Sequence, residues 1–343
     1  MIIRNVSELR LYFPTHNFNS NVAFSGNVYS SELDFLKDKL GSLLYKKLND
    51  HLATINSDDF IDHIEQGTTL SYYESLLHMC QRCVSYDAMG RMAPINAVSI
   101  NNTGINVATS QDYKDADKKA IDDFKASCVK ESHIAINDLL ATLEDWAIDA
   151  NTNDDADLKD IIDAWKTSKY YYCVSSLLIP SAIVLQDYLN FYENREKFIQ
   201  MLPDLKYIQE EMIEAVIGPK LSAYLLKEVT NNTDNKVSLE LIKMLRKFMA
   251  ANLEARTQIL KISDSRILKA HDEAVAYETK ITKYLTDNLD SLLASSDTDL
   301  VDAIKTTPVY IKRQEDEAEK LAITAHSKPK EDDALFNPMP GLY

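Results

Sequence analysis

The chain has 343 residues, of which 45% are hydrophobic and 26% charged, so it can bury two domain cores and is not a disordered chain. Its seven glycines and nine prolines are too few for the turns of an all-β protein, and they favour a mainly α fold. The formal net charge of −16 argues against nonspecific nucleic-acid binding, which depends on clustered Lys and Arg, and we predict no sequence-specific nucleic-acid partner.

Two capping boxes predict where helices begin. Asn5 is followed by Glu8 at the spacing in which a side-chain oxygen and a carboxylate satisfy free N–H groups of the first turn. Ser71 and Glu74 have the same spacing. These pairs predict helices that begin near residues 6 and 72.

A stripe of apolar residues interrupted by one glycine occurs twice. Around Gly41 the stripe consists of Phe35, Leu36, Leu40, Leu44 and Leu48. Around Gly218 the same spacing is kept by Met212, Ile213, Ile217, Leu221 and Leu225. Residues 9–14 also parallel 198–203, and each stripe leads into a further apolar helix, over 70–89 and 239–260. We interpret this pattern as two tandem helical-bundle modules, an organisation more common in scaffolds and assembly proteins than in active sites.

One segment is predicted to be extended. Val98, Ile100, Ile105 and Val107 alternate with polar residues on both sides of the turn Asn101–Gly104. We expect a β-hairpin near 98–107. Because a lone hairpin is marginally stable in water, it either decorates a helix of its own chain or extends a sheet contributed by neighbouring subunits.

A long amphipathic helix over 115–147 is expected to complete a first module, 1–150. The polar segment 151–157 then predicts the domain junction. A second module, 158–325, contains the remaining predicted helices, with breaks at Pro180, Pro203 and the polar cluster 230–235. These helices are predicted over 160–178, 181–192, 205–229, 239–260 and 265–293.

The last segment, 326–343, is predicted to be an extended C-terminal tail. It is charged and contains prolines, and it ends in apolar side chains that cannot form a core of their own. These side chains are Leu335, Phe336, Met339, Leu342 and Tyr343. They either pack on their own domain or insert into a neighbouring subunit or partner.

The sequence contains no recognisable catalytic motif. Cys80 and Cys83 lack a second ligand pair at zinc spacing, and there is no HExxH, phosphate-binding loop or hydrolase elbow. The acidic runs 154–157 and 315–319 are typical of solvated faces, and the aromatic run 170–172 is typical of core or interface packing. We therefore predict no enzyme activity, no metal and no cofactor.

The chain also lacks the signals of a membrane or secreted protein. No apolar run approaches the roughly 18 residues of a membrane span, and the first residues lack a secretory leader. We expect folding in the cytoplasm, no membrane partner, and reduced side chains at Cys80, Cys83, Cys128 and Cys173.

Taken in order, the first-half elements resemble the head-tail connector, or adaptor, proteins of tailed bacteriophages. These elements are the N-terminal cap helix, the stripe 40–48, the helix containing 76–84, the turn 100–105 and a long helix. The same elements are similar to an uncharacterised family encoded near phage structural genes of gut anaerobes, some members of which have a similar tail ending in Gly-Leu. The second half repeats the Gly218 stripe without a counterpart of the hairpin, and connectors of this type usually have one module.

This resemblance implies a noncatalytic virion protein that forms a ring, commonly of twelve copies, beneath the portal and joins it to tail components. Assembly would take place in the bacterial host cytoplasm. The resemblance assigns partner binding to the extended segments, at Ile100, Ile105, Val107 and 335–343. The alternatives are another helical phage assembly or binding module, such as a tail-terminator or lattice component, and an enzyme with a dispersed active site.

Overall fold

The computed structural model describes residues 1–13, 22–96, 98–101, 104–107, 118–171, 177–192, 194–231 and 236–326. The protein is mainly α, as the composition predicts. It divides into two compact units, which are Met1–Val174 with Glu193–Ile199 (unit 1) and Ser175–Tyr192 with Gln200–Tyr343 (unit 2). The predicted junction at 151–157 therefore lies within unit 1, because the helix that follows it packs on the helices that precede it.

Unit 1 is built around a pair of long helices. Its helices are α1 (Val6–Arg10), α2 (Val22–Ser31), α3 (Lys37–Leu40), α4 (Ser42–Leu52), α5 (Ser57–Gln66), α6 (Tyr72–Asn96), α7 (Lys118–Asp149) and α8 (Ala156–Trp165), with a π-helical turn at Glu32–Leu36. Helix α6 packs along α7, and α8 packs on α4, α6 and α7. Strands β1 (Val98–Asn101) and β2 (Gly104–Val107) pair in antiparallel register between α6 and α7.

Unit 2 contains α9 (Ala182–Gln186), α10 (Arg195–Tyr207), α11 (Glu214–Ile217), α12 (Pro219–Asn231), α13 (Lys236–Arg256), α14 (Asp264–Leu293), α15 (Thr298–Ile304) and α16 (Pro308–His326), with a π-helical turn at Ile208–Ile213. The first residues of α10 belong to unit 1. Helices α13 and α14 pack along each other, and α12 packs on α15. Fully buried leucines, isoleucines and phenylalanines form a core in each unit.

Both predicted helix starts are observed, and Ser71 with Glu74 forms a complete capping box; at Asn5 the side-chain cap is present, but the Glu8 carboxylate accepts the N–H of Arg4 instead of that of Asn5. The Asn5 side chain accepts a hydrogen bond from the Glu8 N–H, and α1 begins at the next residue after Asn5. The Ser71 hydroxyl accepts from the Glu74 N–H, and the Glu74 carboxylate accepts from the Ser71 N–H at 2.9 Å. Each pair satisfies amide groups that a helix start leaves without partners.

Both glycines interrupt their helices with nearly the same backbone geometry. Gly41 has φ 80° and ψ 157°, and Gly218 has φ 84° and ψ 152°. In each unit a π-helical turn and a four-residue helix precede the glycine, and a longer helix follows it. These dihedral angles are essentially confined to glycine, because a Cβ atom would collide with the backbone.

The N-terminal parts of the two units also correspond. The buried side chain of Glu32 accepts the backbone N–H of Ile2, and the buried side chain of Gln209 accepts the backbone N–H of Leu178 at 2.8 Å. A capped five-residue helix then follows in each unit, α1 after Asn5 and α9 after Ser181. The counterpart of 9–14 is thus the region of α9, and the parallel predicted between 9–14 and 198–203 is wrong.

Three other boundaries differ from the prediction. Pro203 lies inside α10 instead of ending a helix. Since Met201 and Leu205 on the same helix are buried, their apolar contacts offset the lost backbone hydrogen bond. The predicted helix over 181–192 is limited to α9, and the helix predicted over 160–178 ends at Trp165.

Candidate functional site

Most of the partner-binding residues predicted from the sequence lie where no side-chain geometry is described. Ile100 pairs with Ile105 across the two strands, and Val107 pairs with Val98. The tail residues of 335–343 are outside the described residues. Partner binding by these two segments therefore stays a prediction, and we sought a site among the described surfaces.

The cysteines have the environment of core residues. Cys80, Cys83 and Cys128 are free and buried. Burial raises the pKa of each thiol above its ordinary value, so the reactive thiolate is disfavoured. Cys173 is outside the described residues. Among the residues that are described, no group of three or more His, Cys, Asp or Glu side chains is arranged to hold a metal ion.

No described helix is long and apolar enough to cross a membrane.

The aromatic run 170–172 contributes packing in its first two residues. Tyr170 is buried and lies beneath the ammonium group of Lys39, which is 4.3 Å from the ring centroid. Tyr171 makes an edge-to-face contact with Trp165, with ring centroids 5.1 Å apart. Tyr172 is outside the described residues.

One face of α7 is covered by residues 194–199, the described part of the segment 193–199 that belongs to unit 1. The backbone N–H of Arg195 donates to the Asn137 side chain at 2.9 Å. The Arg195 guanidinium pairs with Glu144 at 2.8 Å, and both side chains are almost fully buried, with exposures of 6% and 7%. A buried, hydrogen-bonded ion pair fixes the register of the two segments that carry it, since either charge alone would be left without compensation.

A second cluster on this face surrounds Glu196. Its carboxylate lies 2.7 Å from His133 Nδ1 and 3.0 Å from Lys39 Nζ. Lys39 also donates to the Tyr170 hydroxyl at 2.7 Å. The pKa of His133 is raised, chiefly by its hydrogen bond to Glu196. Burial alone would raise the pKa of Glu196, but its bonds to His133 and Lys39 lower it below the ordinary value.

In unit 2, α14 has a surface groove instead of a covered face. The groove has a volume of about 520 Å³, and its described lining comes entirely from exposed residues of α14. These residues are Val275, Glu278, Thr279, Thr282, Lys283, Thr286 and Asp287. Val275 is 51% exposed, which is unusual for a valine. The described lining residues form no cluster of convergent catalytic groups, and they offer a shallow surface suited to contact with another chain.

Sequence reasoning missed both faces. The stripe of α7 was recognised as amphipathic, but nothing in the pattern showed that 193–199 would return to cover it. Asn137, Glu144 and Arg195 are polar, and a polar residue is expected to be exposed to solvent unless its hydrogen-bonding partner in the fold is known. A charged residue at a helical core position, such as Glu144 one residue after Leu143, was the available signal.

Comparison with known proteins finds one partial family match and no activity. Residues 36–157 match a family of unknown function (DUF6712). The matched stretch lies within unit 1 and runs from the end of its π-helical turn to the first residues of α8. Neither the search of curated proteins nor that of solved structures found a significant match.

Proposed function

We propose that the protein is a noncatalytic structural protein of a tailed-phage virion, a head-tail connector or adaptor that forms a ring beneath the portal and joins it to tail components. The observation that carries this proposal is the repetition of one arrangement, a π-helical turn, a short helix, a glycine with positive φ and a longer helix, once in each unit. We interpret it as two tandem helical-bundle modules, the first with a small hairpin and the second with an extended tail.

A repeated helical module suits an assembly role for a physical reason. Each copy buries its own apolar stripe, so a unit with its own core can present its remaining faces to other chains. A ring subunit must bind its two neighbours through different surfaces, a heterologous interface that closes by rotation. Two related but unequal modules in one chain provide such different surfaces.

The resemblance assigns the contacts with neighbouring proteins to the extended segments. In this proposal the strands that carry Ile100, Ile105 and Val107 extend a sheet or groove of an adjoining subunit. The apolar tail residues of 335–343 insert into the portal or a tail component. The partners are further copies of this chain in a ring, commonly of twelve copies in such connectors, together with the portal protein and tail components, and the final location is the virion.

The test is co-expression with the portal protein of the same phage, followed by electron microscopy of the purified complex. We expect a ring of this protein bound to one end of the portal. Deleting 335–343 should leave the helical circular dichroism and the melting temperature unchanged, because a tail that binds in trans adds nothing to either core, and it should weaken portal association. Loss of helical signal and early melting in the truncated protein would mean that the tail packs within its own chain.

Another helical assembly or binding module, such as a tail-terminator or lattice component, is the alternative. The repeated helical arrangement favours this class as well, since it does not specify the neighbour. Quantitative mass spectrometry of purified particles separates the two: a connector has the copy number of one ring at the portal vertex, whereas a lattice component has a copy number in proportion to the major capsid protein.

A further inference from the structure

Helices α7 and α14 can be aligned residue by residue through their buried faces. Four buried positions of α7 recur at identical spacing in α14. They are Cys128, Ser132, Leu139 and Leu143 in α7, and Ala270, Ala274, Ile281 and Leu285 in α14. The same alignment pairs the helix caps that follow, Asp155 before α8 and Asp297 before α15, both of which accept backbone N–H groups of the helix start.

This alignment places the groove of α14 on the face that is covered in α7. His133, Asn137 and Glu144 correspond to Val275, Thr279 and Thr286. In unit 1 those three side chains bind the segment 193–199. The buried α7 residues Ile136 and Leu140 likewise correspond to Glu278 and Thr282, which are exposed. The groove of α14 therefore corresponds to the surface of α7 on which 193–199 packs in unit 1.

We propose that the groove of α14 is the docking surface for a second copy of this chain, which covers it as 193–199 covers α7. This inference rests on the connector proposal in one respect: the docking surface on α14 is taken as the contact between neighbouring ring subunits. The segment 193–199 leads into the helices that end at Gly218. At the same spacing before Gly41, the corresponding positions are 16–22, so these residues of the second copy are the occupant that the correspondence selects.

The chemistry of the groove fits a segment of that kind. Its hydroxyl-bearing side chains, Thr279, Thr282 and Thr286, offer acceptor oxygens over two turns of the helix, since the hydroxyls of Thr279 and Thr286 already donate to carbonyl groups of α14. Val275 adds an apolar contact. Residues 16–22 read His-Asn-Phe-Asn-Ser-Asn-Val, which are mostly side chains able to hydrogen-bond. The contact joins the second module of one copy to the first module of the next. A head-to-tail contact of this kind is heterologous and generates a ring when the rotation closes.

The experiment compares full-length Thr282→Arg with full-length Ser291→Arg. Both substitutions add one positive charge at an exposed position of α14, but Ser291 does not line the groove. Sedimentation velocity over a concentration series gives the affinity of self-association, and circular dichroism confirms that each variant is folded. We expect Thr282→Arg to weaken association by about tenfold or more, the effect of a residue central to an interface, and Ser291→Arg to associate like the wild type.

A second measurement identifies the occupant. A photo-reactive benzoylphenylalanine at position 282, in a mixture with ¹⁵N-labelled protein, should cross-link to a peptide containing 16–22 of the other copy. The docking proposal is overturned by a cross-link within one copy or by a cross-link to another segment. It is also overturned if Thr282→Arg associates as strongly as the wild type. A wild-type chain that stays monomeric alone and on the portal also overturns it. The connector function is judged separately, because a ring on the portal whose contacts survive Thr282→Arg supports the function and rejects only this surface.

Discussion

Replacing Gly41 with Ala should destabilise unit 1 substantially. At φ 80° and ψ 157°, a residue with a side chain is strained by about 1–3 kcal/mol. The added Cβ would also lie 2.8 Å from the Cβ and 3.1 Å from the Cα of Ser168, in the turn that follows α8. Since the closest atoms are near or on the backbone, the turn itself must shift, at a cost of about 1 kcal/mol or more. We expect a total loss of about 2–4 kcal/mol.

Tryptophan fluorescence during urea unfolding measures this loss in the relevant unit. Both tryptophans of the chain, Trp146 and Trp165, lie in unit 1, and Trp165 is fully buried. With a urea m-value of about 2 kcal/mol/M, the midpoint should fall by about 1–2 M.

Gly26→Ala is the matched control. Gly26 lies in α2, and a Cβ added there meets no atom within 4 Å. This substitution should raise stability by about 0.5–1 kcal/mol, because alanine is favoured over glycine in a helix. The reasoning is refuted if Gly41→Ala unfolds at the wild-type urea concentration, or if both variants shift the midpoint equally.

The polar contacts of the segment 193–199 yield the remaining predictions. Arg195→Leu should lower the free energy of unfolding, measured in urea, by about 3 kcal/mol, because it leaves Glu144 buried without its partner. The double variant Arg195→Leu, Glu144→Leu should recover most of that loss. An equal loss in the single and double variants would argue against a stabilising ion pair. The raised pKa of His133 means that its contact with Glu196 stabilises the fold fully below the unfolded pKa near 6.5 and is lost as the pH rises through the folded value. Because His133 is half exposed, the change should stay below about 1 kcal/mol. The depressed pKa of Glu196 adds the opposite limit, since its contribution is present above about 4.5 and is lost as the pH falls through the lowered value. His133→Gln should flatten the dependence above pH 6, and an unchanged pH profile in this variant would contradict the assignment.

Local signals were readable from the sequence because they depend on neighbouring residues alone. The caps at Asn5 and Ser71 depend on hydrogen bonds within a few residues, and both are observed. The glycine in each apolar stripe was recognised, but the helix predicted over 205–229 runs across Gly218, where the structure interrupts it. The long helix predicted over 115–147 is observed as α7, within three residues at each end.

Long-range pairing was not readable in the same way. The polar segment 151–157 has the composition of a linker, but its Asp155 caps α8, which packs back on unit 1. The return of 193–199 to α7 depends on Arg195 meeting Glu144, a contact between residues far apart in the chain. Composition alone gives no reason to pair these two charges, so the covered face of α7 and its open counterpart on α14 became visible only in three dimensions.

Native mass spectrometry of the full-length protein bound to its portal shows whether copies of this chain assemble into a ring through the groove of α14. We expect one complex with a single, ring-sized number of copies, which falls apart into smaller species when Thr282 is replaced by Arg and stays intact when Ser291 is replaced. A single copy on the portal, or no portal complex at all, would contradict this expectation.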